Sequence, residues 1–245
     1  MIPSVFDSAQ STSVSPWIVM DGLKWGDLVQ GHTPRRYRKG QIVYYQEGME
    51  DCIYLVKQGR VNVSLINSQG KMRSLYAADK GCLFGENYGY QRVGSITQAC
   101  ANCDAEVYVI PQEEFHHRME KYPYLMYNLT TTLVRKSQVL IYQIEQLTFY
   151  DSFVKVKNVL LALADTYGQV EESGIVIHMR FTHQELASMA SVSRVTVANG
   201  MSAMQKSGVL SRRKGRAYIR DLTALQNFRM GRLRVHCTTG RITLL

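Results

Sequence analysis

Thr182-His183-Gln184-Glu185 sets a hydroxyl and a carboxylate three residues apart. That is the spacing of a capping box, in which each side chain satisfies a backbone donor beside the other. After Ala190-Ser191-Val192, Ser193 offers a second helix start, and the helix it opens is expected to run to about Lys206. Small residues at Ala187, Ala190 and Ala198 permit a close crossing, with Val192, Val197 and Met201 on the inner side. Two short capped helices of this kind read as a helix-turn-helix whose second helix meets the edges of bases. Hydroxyls at helix starts suit phosphate, which assigns Thr182 and Ser193. Arg194 suits bidentate contact with guanine, Val195 a thymine methyl, and Asn199 an adenine edge or a phosphate. Gln184 and Thr196 complete the polar contact surface, and the implied half-site is largely A/T. The stretch "RRKGRAYI" (212–219) reads as a basic hairpin, a wing carrying Arg212, Arg213 and Lys214.

The charge is distributed to match. Of the 29 Lys and Arg, 11 lie from Ser191 onward, against one of the 20 acids. The first 190 residues carry the remaining 18 basic and 19 acidic groups, so the polyanion partner is expected at the C-terminal end alone.

A second constellation is "GCLFGENYGYQRVGSITQACANC", residues 81–103. Its glycines and Glu86 could hold the ribose and phosphate of a nucleotide, but the cation such a site needs is out of place. Cys100 and Cys103 form a lone C-x-x-C, and a tetrahedral zinc site would need two further ligands at similar spacing. A redox-active thiol pair is the alternative use of these two residues. Five irregularly spaced cysteines do not make a disulfide scaffold.

The elements that must position these residues follow from period and punctuation. From about Tyr37 to Ile110, short apolar or alternating runs ("QIVYY", "CIYLV", "VNVSLI", "RSLYA", "EVYVI") are broken by Gly48, Gly59, Gly70 and Gly81, which fall 11 residues apart. Strands with regular turn glycines predict an all-β roll, each glycine supplying a positive φ. "PQEEFHHRMEKYP" predicts a short helix closed by Pro123, and a long helix follows from about Tyr124 to Leu147. In it Leu129, Leu133, Lys136, Leu140, Gln143 and Leu147 repeat at spacings of 4 and 3, with Ile144 widening the stripe. That spacing predicts a dimer seam. A further helix starts at Asp151/Ser152 and ends at Gly168. No apolar run is long enough to span a bilayer, and the N-terminus lacks the order of a signal peptide, so a cytoplasmic location without membrane attachment is expected.

On these residues the chain resembles the family of the cyclic AMP receptor protein and the fumarate–nitrate reduction regulator, over about residues 23–222. The carriers are the glycine-punctuated roll, "FGE" at 84–86, "LTFYD" at 147–151 and "THQELASMASVSRVTV". The resemblance implies an α+β fold: an N-terminal β-roll of the cyclic-nucleotide-binding, jelly-roll type, a long dimerisation helix and a C-terminal winged helix-turn-helix. It implies an extension at 1–22, an effector-sensing roll at 23–123, the dimer helix at 124–148, the DNA-binding domain at 149–228 and a basic tail at 229–245. It also implies a homodimer that binds double-stranded DNA and RNA polymerase and is not an enzyme.

The departures bear on the effector. Where cyclic-AMP-binding members carry an Arg-Ser pair, this chain has Ser95 and Ile96, and its base-reading positions fall at Leu140 and Ile141. Cyclic AMP is therefore disfavoured. An iron–sulfur cluster is disfavoured because the first cysteine is Cys52, and haem because no histidine lies between His32 and His116. That gap also weighs against a cupin-like metal enzyme. What remains resembles the subgroup that senses halogenated aromatics, with Gly85-Glu86-Asn87-Tyr88 as its cradle and Lys136 as its phenolate-sensing lysine. The implied effector is a small acidic aromatic, with no resident cofactor. Its pocket comprises Gly85, Glu86, Tyr88, Ser95, Ile96, Leu133, Lys136 and Leu140. A thiol switch at Cys100 and Cys103 on the same fold is the alternative.

Overall fold

Two sheets share one apolar core in the N-terminal half. The computed structural model describes residues 14–49, 51–86, 94–172, 174–213 and 215–228. Tyr88, Lys214 and the tail at 229–245 lie outside the described residues. The first sheet has the order β1 (Trp17–Ile18), β6 (Met72–Ala78), β5 (Val61–Ile66), β8 (Gln98–Ala101), β3 (Ile42–Tyr44). The second runs β2 (Arg35–Tyr37), β9 (Ala105–Pro111), β4 (Cys52–Gln58), β7 (Leu83–Phe84). Alternation sends Tyr44, Tyr54, Val56, Val61, Val63, Phe84 and Val107 inward from both sheets. This is the expected roll, and with the C-terminal helix-turn-helix it makes the chain α+β.

Two differences from the sequence reading are local. The turn glycines Gly59, Gly70 and Gly81 have φ of +83°, +73° and +78°, but Gly48 is not left-handed. There Glu47 takes the positive φ (64°), and Gly48 is needed for room: a Cβ would stand 2.9 Å from the carbonyl oxygen of Tyr45. Second, the segment read as an extension contributes β1, which pairs parallel with β6 and buries Trp17 and Ile18. Two strand residues are too short a run to show a period.

A short helix α1 (Gly26–Val29) precedes β2, and α2 (Gln112–Lys121) follows β9. Helix α3 (Tyr124–Phe149) then crosses the roll. Asp151 caps α4 (Ser152–Tyr167), accepting from the amides of Phe153 and Val154 at 2.9 Å. The rest is β10 (Gly168–Glu171), β11 (Gly174–Ile177), α5 (His183–Ala190), α6 (Arg194–Lys206), β12 (Leu210–Arg213), β13 (Arg216–Ile219) and α7 (Leu222–Asn227). The four strands form a sheet ordered β10-β11-β13-β12. Leu160, Leu163, Leu186, Val197 and Met201 close this domain's core, which is continuous with Trp17 and Ala77 of the roll. Among the described residues no helix is long and apolar enough to cross a membrane.

Candidate functional site

The α5–α6 pair is built as its residues require. The Thr182 hydroxyl accepts from the Glu185 amide (3.1 Å), and the Glu185 carboxylate accepts from the Thr182 amide (2.7 Å), so the capping box is complete. Ser191 takes φ +53° at the end of α5 and turns the chain. Ser193 accepts from the Thr196 amide at 3.0 Å and opens α6. A hydroxyl that accepts still has a proton to give, so the Thr182 cap keeps a donor for phosphate. Arg194, Val195 and Asn199 are exposed on the outer side of α6, while Val197, Gly200 and Met201 are buried. Gln184 is exposed on α5. A bare valine among polar neighbours leaves an apolar surface free for contact.

The wing pairs as β12 with β13, but its arginines differ in use. Arg212 lies opposite the buried Ala217, so its side chain leaves the inward face of the hairpin. It donates to the carbonyl of Phe181 at 2.9 Å and stands 5.1 Å from that ring's centroid. Arg212 thus braces the wing against the start of α5, where a DNA contact was expected. Arg213 is exposed, over the ring of Tyr218 at 6.0 Å. His183 was missed in the sequence. Burial, then Arg212 and Arg194, lower its imidazole from the ordinary value, so the two arginines disfavour a third positive charge on this face. Its place beside the Thr182 cap was the available signal.

Helix α3 sorts the predicted seam into two faces. Leu129, Lys136 and Gln143, seven residues apart, face the roll with Leu125, Thr132 and Val139. Leu133, Leu140 and Leu147, also seven apart, are half exposed (42%, 41% and 44%), and Ile141 and Ile144 beside them more so. A heptad reading merges these rows, because the positions it joins differ by only about 40–60° around the helix. Lys136 is therefore no seam residue.

The Lys136 ammonium enters the roll and pairs with the carboxylate of Glu86. Both side chains are buried, 7% and 8% exposed. Gly85 makes this possible: its φ is +87°, and a Cβ would lie 2.6 Å from Cδ2 of Tyr54. The ammonium also stands 5.1 Å from the ring centroid of Tyr76. Burial, with Glu86 adding, holds the Tyr76 phenol well above its ordinary value. Burial likewise pushes Tyr44 and the Cys82 thiol up to about 12. The floor of the cradle is thus one ion pair among neutral groups. Tyr76 and Cys82 were not foreseen, because nothing in their local spacing sets them apart from other strand residues.

The structure does not gather every residue expected here. Ser95 pairs through its backbone with Glu47 (2.7 Å) and Gly48 (3.1 Å), and its hydroxyl donates to the Thr97 carbonyl at 2.9 Å. Ile96 is exposed, and Leu133 and Leu140 lie on the outward face of α3. Within one chain and among the described residues, Gly85, Glu86 and Lys136 are the predicted residues that come together.

Comparison with known proteins agrees with both halves. Residues 34–122 match the cyclic nucleotide-binding domain, and residues 154–228 match the Crp-like helix-turn-helix domain. The chain is 26% identical over 206 residues to the cyclic AMP receptor protein of Thermus thermophilus, covering 84% of this chain and 92% of that one. It is 24% identical to the anaerobic regulatory protein of Bacillus subtilis, covering 76% and 79%. Its fold resembles a CooA mutant from Carboxydothermus hydrogenoformans (TM-score 0.71, 23% identity, 81% and 88% covered) and a cysteine-to-serine variant of CprK in complex with OCPA (0.70, 15%, 87% and 96%). The chain belongs to the Crp/Fnr family. It is a Crp/Fnr-type DNA-binding transcription regulator with a ligand-binding domain.

In this Crp/Fnr chain the DNA-binding domain is seated on the roll. Arg60 donates to Asp79 at 3.1 and 2.9 Å, and the Tyr167 hydroxyl donates to the same oxygen at 2.6 Å. Burial pushes the Tyr167 phenol up, against the opposing pull of Arg60. A cleft of about 940 Å³ between the β5–β6 hairpin and α5–α6 is lined by Lys71, Arg73, Ser188, Ser193 and Thr196 among others. Cys103 lines a separate groove of about 550 Å³ with Arg60, Tyr167 and His178, and so lies at the domain junction. Burial pushes the Cys100 thiol up, which weakens it as a nucleophile.

Proposed function

We propose that the chain is an effector-gated homodimeric regulator that binds an A/T-rich inverted repeat in the cytoplasm and acts through RNA polymerase. The effector we propose is a small acidic aromatic, seated between the roll and α3. The observation that carries this reading is the Lys136 ammonium, which α3 inserts into the roll beside the Tyr76 ring. A cation in a dry wall favours the ionised form of an acidic ligand, and an aromatic ring beside it suits a flat one. Solved proteins of this fold are named for OCPA in one case and for a c-di-GMP response in another, so the fold leaves the choice of effector to the residues. The contacts we propose narrow to Gly85 and Lys136, with Tyr76 added and Glu86 as the counter-charge that the effector meets at Lys136. Leu133 and Leu140 leave the proposed pocket and stay in the proposed dimer seam with Ile144 and Leu147. Only Tyr150 and Asp151 separate α3 from α4, so a shift of α3 is transmitted directly to the DNA-binding domain.

On DNA we propose Arg194, Val195, Thr196 and Asn199 as readers and Thr182, Gln184, Ser193 and Arg213 as phosphate contacts. Fluorescence anisotropy on an A/T-rich inverted repeat and a scrambled duplex, at one salt concentration, tests this. Arg194→Ala is expected to lose about 1–3 kcal/mol per half-site on the specific duplex and little on the scrambled one. Equal losses on both would reduce Arg194 to a phosphate contact and contradict the assignment.

A further inference from the structure

We infer that Glu86 is a built-in competitor of the effector: in the unliganded chain its carboxylate occupies the Lys136 ammonium, and only an anion able to displace it can bind. This rests on the acidic-aromatic reading above. Three observations converge on it. The pair is buried on both sides, so the only counter-charge Lys136 contacts among the described residues is Glu86. Oε1 of Glu86 takes the ammonium, while Oε2 is buried with no hydrogen-bond partner among the described residues. A buried carboxylate with one oxygen unsatisfied is held at a cost, since each unmet polar atom forfeits its hydration. Finally, the ammonium lies over the Tyr76 ring, so a flat anion arriving on that side would meet both the charge and the ring face.

The consequence is a threshold on ligand charge. An incoming anion replaces the carboxylate at Lys136 and frees Glu86 to turn toward water, where both oxygens are hydrated. A neutral aromatic of the same shape cannot compensate Lys136, so it leaves the pair in place. Competition of this kind lowers apparent affinity by the fraction of chains in which the ammonium is free. Removing the competitor raises affinity for anions selectively.

The test is isothermal titration calorimetry on the full chain with 2,4,6-trichlorophenol at mildly alkaline pH, where it is an anion, and with its neutral methyl ether. Glu86→Gln is expected to bind the phenolate at least about tenfold tighter than the wild type, with binding of the ether unchanged. Glu86→Asp retracts the charge by one methylene and is expected to gain less. It decides the matter if the glutamine variant does not fold, since a gain supports the competitor and no gain overturns it. If the wild type binds the phenolate and the variants bind it no tighter, the competitor is overturned while the effector class stands. If no form binds the phenolate, both fall.

Discussion

Lys136→Met is expected to destabilise the chain by about 3–5 kcal/mol, because it strands the Glu86 carboxylate in the roll without its counter-charge. Methionine keeps the length and apolar stem of lysine, so lost packing contributes little. Adding Glu86→Gln to the same chain is expected to restore most of the loss, since it removes the stranded charge. The double-mutant cycle read from urea denaturation isolates the coupling. A single-variant loss under about 1 kcal/mol, with additive effects, would place the two groups in water and contradict the buried pair. The pair matters beyond stability. It joins the β7 turn to the middle of α3, the two elements between which the effector is proposed to sit.

The second large effect concerns the outward face of α3. Ile144 is 62% exposed and adjoins Leu140 and Leu147, so Ile144→Glu is expected to leave the fold of one chain intact. In the proposed dimer it places a carboxylate beside its twin across the twofold seam, however, and burying like charges there is costly. The expected result is a monomer in sedimentation equilibrium. Affinity for the inverted repeat falls by about 10²–10⁴-fold, because two half-sites about one helical turn apart are no longer engaged together. A glutamate variant that remains dimeric and binds the repeat as before would remove α3 from the interface. Val139→Glu is the control, since it buries its charge in the roll's core and is expected to unfold the chain.

These two variants show where sequence reading succeeds and where it stops. The helix-turn-helix was legible because its information is local: the Thr182 and Ser193 caps, the small crossing residues and the apolar inner side lie within 20 residues. The roll was legible through its alternating runs and three left-handed glycines. The two faces of α3 were not legible. The heptad spacing gave a single stripe, read as a dimer seam, and could not say which of its residues face the roll, because both rows repeat every seven residues. That choice is made by the roll's own side chains, Glu86 and Tyr76 among them, which lie 50 and 60 residues away. The Arg60–Asp79–Tyr167 junction was illegible for the same reason. Arg212 looked like a DNA contact because the wing is basic, and only the hairpin register shows that its side chain turns inward.

An acidic aromatic in the roll is proposed to control DNA binding. Its most direct test is the anisotropy of an A/T-rich inverted repeat titrated with the wild-type chain at fixed salt. The titration is run alone, with 2,4,6-trichlorophenol and with cyclic AMP. Binding at least about tenfold tighter is expected with the phenol and no change with cyclic AMP, a coupling in the range of ordinary allosteric effectors. Identical affinity in all three titrations, or a response to cyclic AMP alone, would contradict it.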